Sequence, residues 1–294
     1  MDGSDPVVFD ETRARAVLRA ACTTAGLPAG DPRVLGMGEN AVFDLGDPAV
    51  VAKVGRTPAV SREPAVATWL SSHGVPTVRP YLPEAVTALG HPVTFWHRLP
   101  APVRPARPVD LAPLLGALHR LPAPDLPLPP RDLLAPVDRW LAAAGDAIDP
   151  ADAAFLRRRK ESFVTAAAAV EPHLPPGVLH GDALPRNVRV TADGPVLLDL
   201  ENVSVDLREH DLVVLALAQD RYGVPAQEYA AFTRAYGWDV REWPHVAVLR
   251  GARETASAAW VAQQVPGNPA ALGEFRRRVA SLRDGGAPVR WFAF

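Results

Sequence analysis

Residues 178–202 read VLHGDALPRNVRVTADGPVLLDLEN, and this stretch says more about the fold than any other part of the chain. Two apolar runs flank the Asp193-Gly194 pair, which is typical of the tight turn in a β-hairpin. Asn187 lies just before the first run, and Asp199 comes at the end of the second. Because a hairpin brings its two ends together, we expect Asp199 to return close to Asn187.

Three side chains with oxygen donors surround this hairpin: Asp182, Asn187 and Asp199. Carboxylate and amide oxygens suit a hard cation such as Mg²⁺, whose coordination is completed by water and substrate phosphates. Any one of these residues alone fits a turn equally well, since Asn and Asp side chains bond to nearby backbone. An aspartate that ends an apolar strand, however, needs compensation for its charge. Together the three residues predict a magnesium site.

Before the hairpin, the first 98 residues are predicted to form mostly strands after an opening helix over about 11–25. The run RVLGMGENAVFDLGDPAVVAKVGR (33–56) has short apolar stretches separated by glycines and by a turn at 46–48, which predicts three antiparallel strands. Its Lys53 is one of only two lysines in a chain that otherwise uses arginine. We interpret Lys53 as an ammonium with a specific partner, although a strand lysine can also reach out to solvent.

The next segment, SREPAVATWLSSHG (61–74), predicts a helix with Ser61 as its N-cap. Glu63 lies on the same side of this helix as the apolar Val66 and Leu70. A carboxylate that faces a core usually needs a partner. Glu63 is therefore a candidate partner for a buried cation.

The proline-rich stretch LPAPVRPARP (99–108) predicts a stiff linker between an N-terminal lobe (1–98) and a C-terminal lobe (109–294). The C-terminal lobe is expected to be mainly helical, with the hairpin as its one β insertion. The predicted helices are 109–120, 150–170 with Asp149 as cap, 210–219, 225–236, 241–264 and 270–283. The expected fold class is α+β with two lobes.

Composition excludes several classes of protein. The 294 residues are 48% hydrophobic and 22% charged, which is ordinary for a folded chain. A net charge of -2 gives no basic field for nucleic acid or an anionic membrane. The start, MDGSDPVVFDETR, is acidic where a secretory signal is basic and apolar, so we expect a soluble cytoplasmic protein. The single Cys22 and the histidine spacing predict neither a disulfide nor a zinc site.

The spacing His180-Gly181-Asp182, then Asn187 and the strand-borne Asp199, resembles the signature of the aminoglycoside phosphotransferase and choline kinase superfamily, relatives of the protein kinases. The resemblance covers about 34–217. It includes a glycine-containing hairpin, the strand lysine, the helix acid after it, and Asp211 at the start of a C-terminal helix. It implies a two-lobed protein-kinase-like fold with a small β-rich N-lobe and a larger, mostly helical C-lobe.

The same resemblance implies ATP and Mg²⁺ as cofactors and a small-molecule hydroxyl as acceptor. Asp182 would accept the proton of that hydroxyl or orient it, and Asn187 and Asp199 would hold the metal. Lys53, held by Glu63, would contact the α- and β-phosphates of the nucleotide. The remaining nucleotide contacts would come from a phosphate-covering loop with Gly36, Gly38 and Asn40, and from an adenine-binding hinge at His97 to Leu99.

The chain departs from the protein-kinase pattern at Asp199-Leu200-Glu201, which replaces Asp-Phe-Gly. Glu201 is expected to approach the metal or to pair with Lys53. In the phosphate-covering loop, Glu39 lies between Gly38 and Asn40, and its negative charge is unfavourable there unless it points away or binds a cation. Only 12 residues separate Asp199 from Asp211, too few for a peptide-binding activation segment, so a small acceptor is favoured.

The expected function is ATP- and Mg²⁺-dependent transfer of the γ-phosphate to a hydroxyl of a small molecule: an aminoglycoside-like antibiotic, an amino alcohol or a sugar. A polycationic acceptor would suit acids of the C-terminal third and the chain's terminal carboxylate in VRWFAF, but such acids are also common on solvated surfaces. Those acids are Asp220, Glu228, Asp239, Glu242 and Glu254. Two alternatives stay open: a catalytically silent nucleotide-binding module and a metal-dependent phosphoesterase.

Overall fold

The computed structural model describes residues 9–28, 30–47, 49–285 and 289–292. Pro48 of the predicted turn, most of the acidic start and the terminal carboxylate lie outside the described residues. The chain divides into two compact units. Unit 1 comprises the described residues up to Ala106 together with Arg186–Val203, and unit 2 comprises Arg107–Pro185 and the described residues from Ser204 onward.

Unit 1 is built on an antiparallel sheet of five strands, in the order β1-β2-β3-β5-β4. The strands are β1 (Arg33–Met37), β2 (Ala41–Asp44), β3 (Val50–Val54), β4 (Val86–Ala88) and β5 (His91–His97). The three antiparallel strands expected over 33–56 are therefore confirmed. The opening helix α1 (Glu11–Ala25) is confirmed as well, and its Leu18 shares one buried cluster with Phe43 and Phe95 of the sheet.

The helix predicted over 61–74 is present as α2 (Glu63–Ser72), but the predicted cap at Ser61 is wrong. Pro58–Arg62 form a 3₁₀ turn that leads directly into α2, and Arg62 already has helical backbone angles. A side-chain cap requires an extended residue before the first helical turn. The continuous entry into α2 removes that residue.

The hairpin of the quoted stretch is confirmed as β7 (Val188–Thr191) paired with β8 (Gly194–Leu197). Its turn residues are Ala192 and Asp193, one position before the predicted pair, because Gly194 already pairs with Thr191. β8 ends two residues earlier than expected, so Asp199 follows the strand instead of ending it. The hairpin still closes as predicted, because the backbone N–H of Leu198 donates to Asn187 O at 2.9 Å. Within unit 1 the hairpin is held by a hydrogen bond from Leu197 N to Pro76 O at 2.9 Å.

Unit 2 is mostly helical, as expected, with a core that includes Leu141, Leu156, Ala259 and Phe275. A short strand β6 (Gly177–Leu179) pairs antiparallel with β9 (Ser204–Asp206). The helices are α3 (Pro108–Leu118), α4 (Val137–Ala144), α5 (Pro150–Ala167), α6 (Glu209–Tyr222), α7 (Ala226–Tyr236), α8 (Val246–Ala262) and α9 (Pro269–Arg283). The small β-rich part and the larger helical part of the expected fold class are confirmed. The hairpin, expected as the one β insertion of the C-terminal lobe, belongs instead to unit 1.

Three details of unit 2 differ from or refine the prediction. The predicted helix over 241–264 begins later, at Val246, because Pro244 has no N–H to enter the helical ladder and Val240–Glu242 form a separate 3₁₀ turn. Neither α4 nor the β6–β9 pair was predicted. The Asp149 cap is confirmed, since its side chain accepts from Ala151 N at 2.8 Å. Across the described residues, no helix has both the length and the hydropathy of a membrane span.

Candidate active site

The β3 lysine of unit 1 lies among three carboxylates, and we call these four residues the lysine cluster. Lys53 Nζ is 2.7 Å from Glu63 Oε1, 2.6 Å from Asp199 Oδ1 and 3.0 Å from Glu201 Oε2. Burial disfavours the charge of Lys53, but the three carboxylates outweigh that effect and hold its pKa above the ordinary value. The alternative that Lys53 reaches out to solvent is wrong, because its side chain is buried.

Strand periodicity explains why Lys53 points into this cluster. Its neighbours Ala52 and Val54 belong to the apolar cluster that α1 forms with the sheet. Successive side chains of a strand point to opposite faces, so Lys53 projects from the other face of β3. Glu63, in the first turn of α2, is buried at 2% exposure and supplies the partner expected for an inward-facing carboxylate.

The lysine cluster has more carboxylates than cations. The ligand oxygens of Glu63, Asp199 and Glu201 all lie within 4.8 Å of one another. Burial raises the pKa of Glu63 to about 7, against the opposing effect of Lys53. Asp199 is the most open of the three acids, with 37% of its side chain exposed. Such a group of hard oxygen donors with excess negative charge fits a divalent cation such as Mg²⁺.

Further side chains of unit 1 organise the cluster. Asn40 Nδ2 donates to Glu201 Oε2 at 2.7 Å, and Arg62 donates to the backbone oxygen of Glu201 at 3.1 Å. Asp199 has a left-handed backbone (φ 59°), which is uncommon for a residue with a side chain. Asn187 is buried at the start of the hairpin. The distance of 3.0 Å between Lys53 Nζ and Glu201 Oε2 confirms the expectation that Glu201 pairs with Lys53.

The residues predicted to cover the phosphates and to receive adenine also lie in unit 1. Gly36 and Gly38 border open space, where an added Cβ would meet no atom within 4 Å, and the neighbouring Glu39 is exposed. His97 ends β5, and its backbone N–H donates to Arg79 O at 3.0 Å. Leu99, two residues further on, is partly exposed.

In unit 2, the loop of His180, Gly181 and Asp182, which we call the aspartate loop, is anchored by the buried Asp211 of α6. Asp211 accepts from the backbone N–H groups of His180 and Gly181 at 2.7 Å each, and from His119 Nε2 at 3.1 Å. Burial alone would raise the pKa of Asp211, but these partners hold it below the ordinary value. His180 Nδ1 accepts from Asp182 N at 3.3 Å, a further hydrogen bond within the loop.

Two arginines contact the other side of the aspartate loop. Arg131 and Arg253 donate to Gly181 O at 3.0 and 3.1 Å, and Arg253 Nη2 lies 2.5 Å from Asp182 Oδ1. The sequence analysis did not identify either arginine. Arg253 could have been suspected, because helical spacing places it beside the buried Leu249 and Ala256 on α8.

The acids considered for a polycationic acceptor are largely matched by arginine. Asp220 pairs with Arg250 at 2.7 Å, and Glu254 pairs with Arg221 at 2.8 Å. Asp239 likewise pairs with its neighbour Arg241 at 2.8 Å. Their charge is therefore compensated within unit 2 and does not point to a cationic ligand.

A buried lysine among acids on a sheet, together with a His-Gly-Asp loop followed by Asn and Asp, defines the chain as a phosphotransferase of kinase-like fold. The sequence profile described as the phosphotransferase enzyme family (APH) matches residues 32–249. The chain belongs to this family. The predicted enzyme class, a kinase acting on small molecules, is confirmed at the level of the family. No curated protein matches the chain by sequence.

Solved structures of similar fold support this assignment. The structure of amicoumacin kinase hAmiN in complex with AMP-PNP, Ca²⁺ and Ami aligns with a TM-score of 0.73 at 14% identity, over 96% of this chain and 98% of that chain. A choline/ethanolamine kinase family protein from Mesorhizobium loti aligns at 0.61 and 21% identity, over 93% and 99%. A thermostable mutant of aminoglycoside phosphotransferase APH(4)-Ia aligns at 0.68 and 14%, over 92% and 100%. The predicted protein-kinase-like fold is therefore confirmed.

Proposed function

We propose that this protein transfers the γ-phosphate of ATP, in a Mg²⁺-dependent reaction, to a hydroxyl group of a small molecule. The N-terminal residues would bind the nucleotide, and the C-terminal residues would supply Asp182 and the contacts to the acceptor. The observation that carries the proposal is the lysine cluster, in which a buried ammonium and three carboxylates meet in unit 1. A purely structural role would not require so much uncompensated negative charge around one lysine.

The donor set of the cluster fits a divalent cation, and we assign Asp199 and Asn187 to hold it, with Glu201 close by. Mg²⁺, when bound, neutralises charge on the phosphate oxygens. Asp199 is suited to this role because its carboxylate is partly exposed while that of Glu63 is buried. Glu63 instead holds Lys53, whose ammonium would contact the α- and β-phosphates.

Asp182 would orient the acceptor hydroxyl and accept its proton as the phosphoryl group is transferred. Phosphoryl transfer depends mainly on positioning and on electrostatic stabilisation of the transferring oxygens. The aspartate loop meets the first requirement because Asp211 fixes two of its backbone N–H groups at 2.7 Å. A carboxylate on a firmly held loop can present the hydroxyl to the phosphate in a constant geometry.

The remaining nucleotide contacts are assigned to the predicted residues of unit 1. Gly36 and Gly38, which border open space, would cover the phosphates, with Asn40 linked to Glu201 beside them. The end of β5, at His97 to Leu99, would receive adenine. The structure of amicoumacin kinase, of similar fold, contains AMP-PNP and Ca²⁺, which supports a nucleotide and a divalent ion as ligands.

For the acceptor we propose a hydroxyl-bearing small molecule: an amino alcohol, a sugar or an aminoglycoside-like antibiotic. Similar folds occur in a choline/ethanolamine kinase family protein and in an aminoglycoside phosphotransferase. The arginine-paired acids of unit 2 give a polycation no special preference. The first panel of acceptors should therefore sample all three chemical classes equally.

The test is ADP release from ATP with Mg²⁺, measured against a panel of amino alcohols, sugars and hydroxyl-bearing antibiotics. We expect ADP release that depends on one acceptor class and stops when EDTA removes the metal. Mass spectrometry should find one added phosphoryl group on the acceptor. ATP binding without consumption would instead identify a silent nucleotide-binding module, and phosphate release from esters without ATP would identify a phosphoesterase. Either result would overturn the proposal.

A further inference from the structure

We infer that Arg253, on α8, is a positioning residue that fixes the carboxylate of Asp182 for the reaction. The inference rests on the proposed function, since it concerns the acid that would receive the acceptor's proton. Arg253 contacts two successive residues of the aspartate loop, with Nη1 at 3.1 Å from Gly181 O and Nη2 at 2.5 Å from Asp182 Oδ1. Neither the sequence pattern nor the family resemblance assigned it a role.

The contact with the backbone does not by itself explain Arg253. Gly181 O already accepts a hydrogen bond from Arg131 at 3.0 Å, so this carbonyl is satisfied without α8. The contribution specific to Arg253 is its ion pair with Asp182. Both side chains are mostly shielded from water, at 18% and 15% exposure, which strengthens a charge-assisted hydrogen bond.

The geometry of the pair suits positioning. An aspartate carboxylate rotates in a broad, shallow energy well about its last torsion. The planar fork of arginine binds the loop at two points and so fixes both the loop backbone and one carboxylate oxygen. The helix backbone beside Arg253 is held in unit 2, because the next residue on α8, Glu254, forms a buried ion pair with Arg221 at 2.8 Å.

A charged group that holds a reacting carboxylate should affect turnover more than nucleotide binding. Misplacement of a reacting group by about 1 Å can cost roughly 100-fold in rate. We therefore expect R253M to lower kcat by about 10- to 100-fold, with KM for ATP within about twofold of wild type. R253K keeps the charge but presents a single ammonium in place of the fork, so it should recover only part of the loss.

The test uses the full chain, ATP, Mg²⁺ and an acceptor found by the ADP-release panel. The matched control is R250M, which removes another arginine from α8. Arg250 lies 2.7 Å from Asp220 and 3.6 Å from Glu254, and among the described residues no ion pair joins it to the aspartate loop. Circular dichroism and thermal melts verify that every variant is folded. The inference is overturned if kcat of R253M lies within twofold of that of R250M, or if R253K restores wild-type turnover.

A second measurement does not depend on the acceptor. Hydrogen–deuterium exchange of peptides that cover residues 179–187 should speed up by about tenfold in R253M and stay at the wild-type rate in R250M. Equal exchange in both variants would mean that Arg253 does not hold the loop. A wild-type protein that phosphorylates nothing would refute the proposed function, while the exchange result would still decide whether Arg253 holds the aspartate loop.

Discussion

The candidate site residues of the two units differ in how their carboxylates are balanced by cationic side chains. In unit 1, the single ammonium of Lys53 faces three carboxylates, so negative charge is in excess. In unit 2, the carboxylate of Asp182 touches a guanidinium, and a second arginine binds the same loop. Excess negative charge in the lysine cluster leaves room for a cation from outside the chain, as the proposed function requires, whereas the carboxylate of the aspartate loop is paired by an arginine of the chain.

Removal of the Asp182 carboxylate is expected to have the largest effect on the enzyme. Asp182→Asn keeps the size of the side chain but removes the base, so we expect kcat to fall by about 100- to 10,000-fold with ATP affinity nearly unchanged. Steady-state ADP release and calorimetric titration of ATP measure the two quantities. Asp125→Asn, in an exposed segment of unit 2, is the matched control. Full turnover in the Asp182 variant would end the assignment.

Substitution of Asp211 tests whether the charged and polar groups of the aspartate loop are neutralised by side chains of unit 2. Asp211→Asn leaves buried donors of the aspartate loop without a charged acceptor, and we expect the free energy of unfolding to drop by about 3 kcal/mol. Because its native pKa lies below the ordinary 3.8, Asp211 stabilises the fold above pH 3.8 and this contribution disappears as the pH falls through the native value.

Urea unfolding at pH 7 and at pH 3 measures both effects. The variant should be less stable at pH 7 and should lose less additional stability on acidification than wild type. Asp146→Asn, exposed in the same unit, serves as control. Parallel losses in the two variants would show that Asp211 does not anchor the loop.

Lys53 tests the opposite arrangement in unit 1. Lys53→Met removes the cation that faces the phosphates, and we expect kcat/KM for ATP to fall by about 100-fold. Lys160→Met is a matched control, since Lys160 is the only other lysine of the sequence and pairs with Asp138 within unit 2. In Lys53→Met three carboxylates lose their cationic partner, which can destabilise the fold. Rates are therefore normalised to the concentration of folded protein. Equal kinetics in the two variants would contradict the assigned role.

The smallest expected effect is the stabilisation of the folded protein by Mg²⁺, which depends on the excess negative charge of the lysine cluster. Mg²⁺ at ten times its dissociation constant should stabilise the wild-type protein by about 1.4 kcal/mol, because the ion binds only the folded lysine cluster. Asp199→Asn should abolish that gain, whereas Asp193→Asn, at the exposed hairpin turn, should retain it. Thermal melts with and without Mg²⁺ give the difference. A similar gain in both variants would mean that the ion binds elsewhere.

Much of this arrangement was accessible from local sequence. The Asp193-Gly194 turn predicted the hairpin, and the apolar neighbours of Glu63 predicted that this acid faces inward. The scarcity of lysine singled out Lys53 before any partner was known. These predictions succeeded because each depends on a short period or a turn that a few residues fix.

Other features depend on contacts between distant parts of the chain. Arg253 reaches Asp182 across 71 positions, and His119 reaches Asp211 across 92. Helical spacing beside Leu249 and Ala256 indicates an inward-facing Arg253, but it does not identify Asp182 as the partner. The cap at Ser61 failed for a different, local reason, since Ser61 lies inside a 3₁₀ turn that leads directly into α2 and lacks the extended backbone that the cap requires.

The assignment of Arg186–Val203 to unit 1 bears on how the chain folds during synthesis. The first 106 residues leave the ribosome without the ribbon whose Leu197 bonds to Pro76 and whose Val190 bonds to Val103. Domains generally fold as units while the N-terminal part emerges first. The nascent N-terminal region therefore cannot complete its native hydrogen bonds until residues 186–203 have been translated.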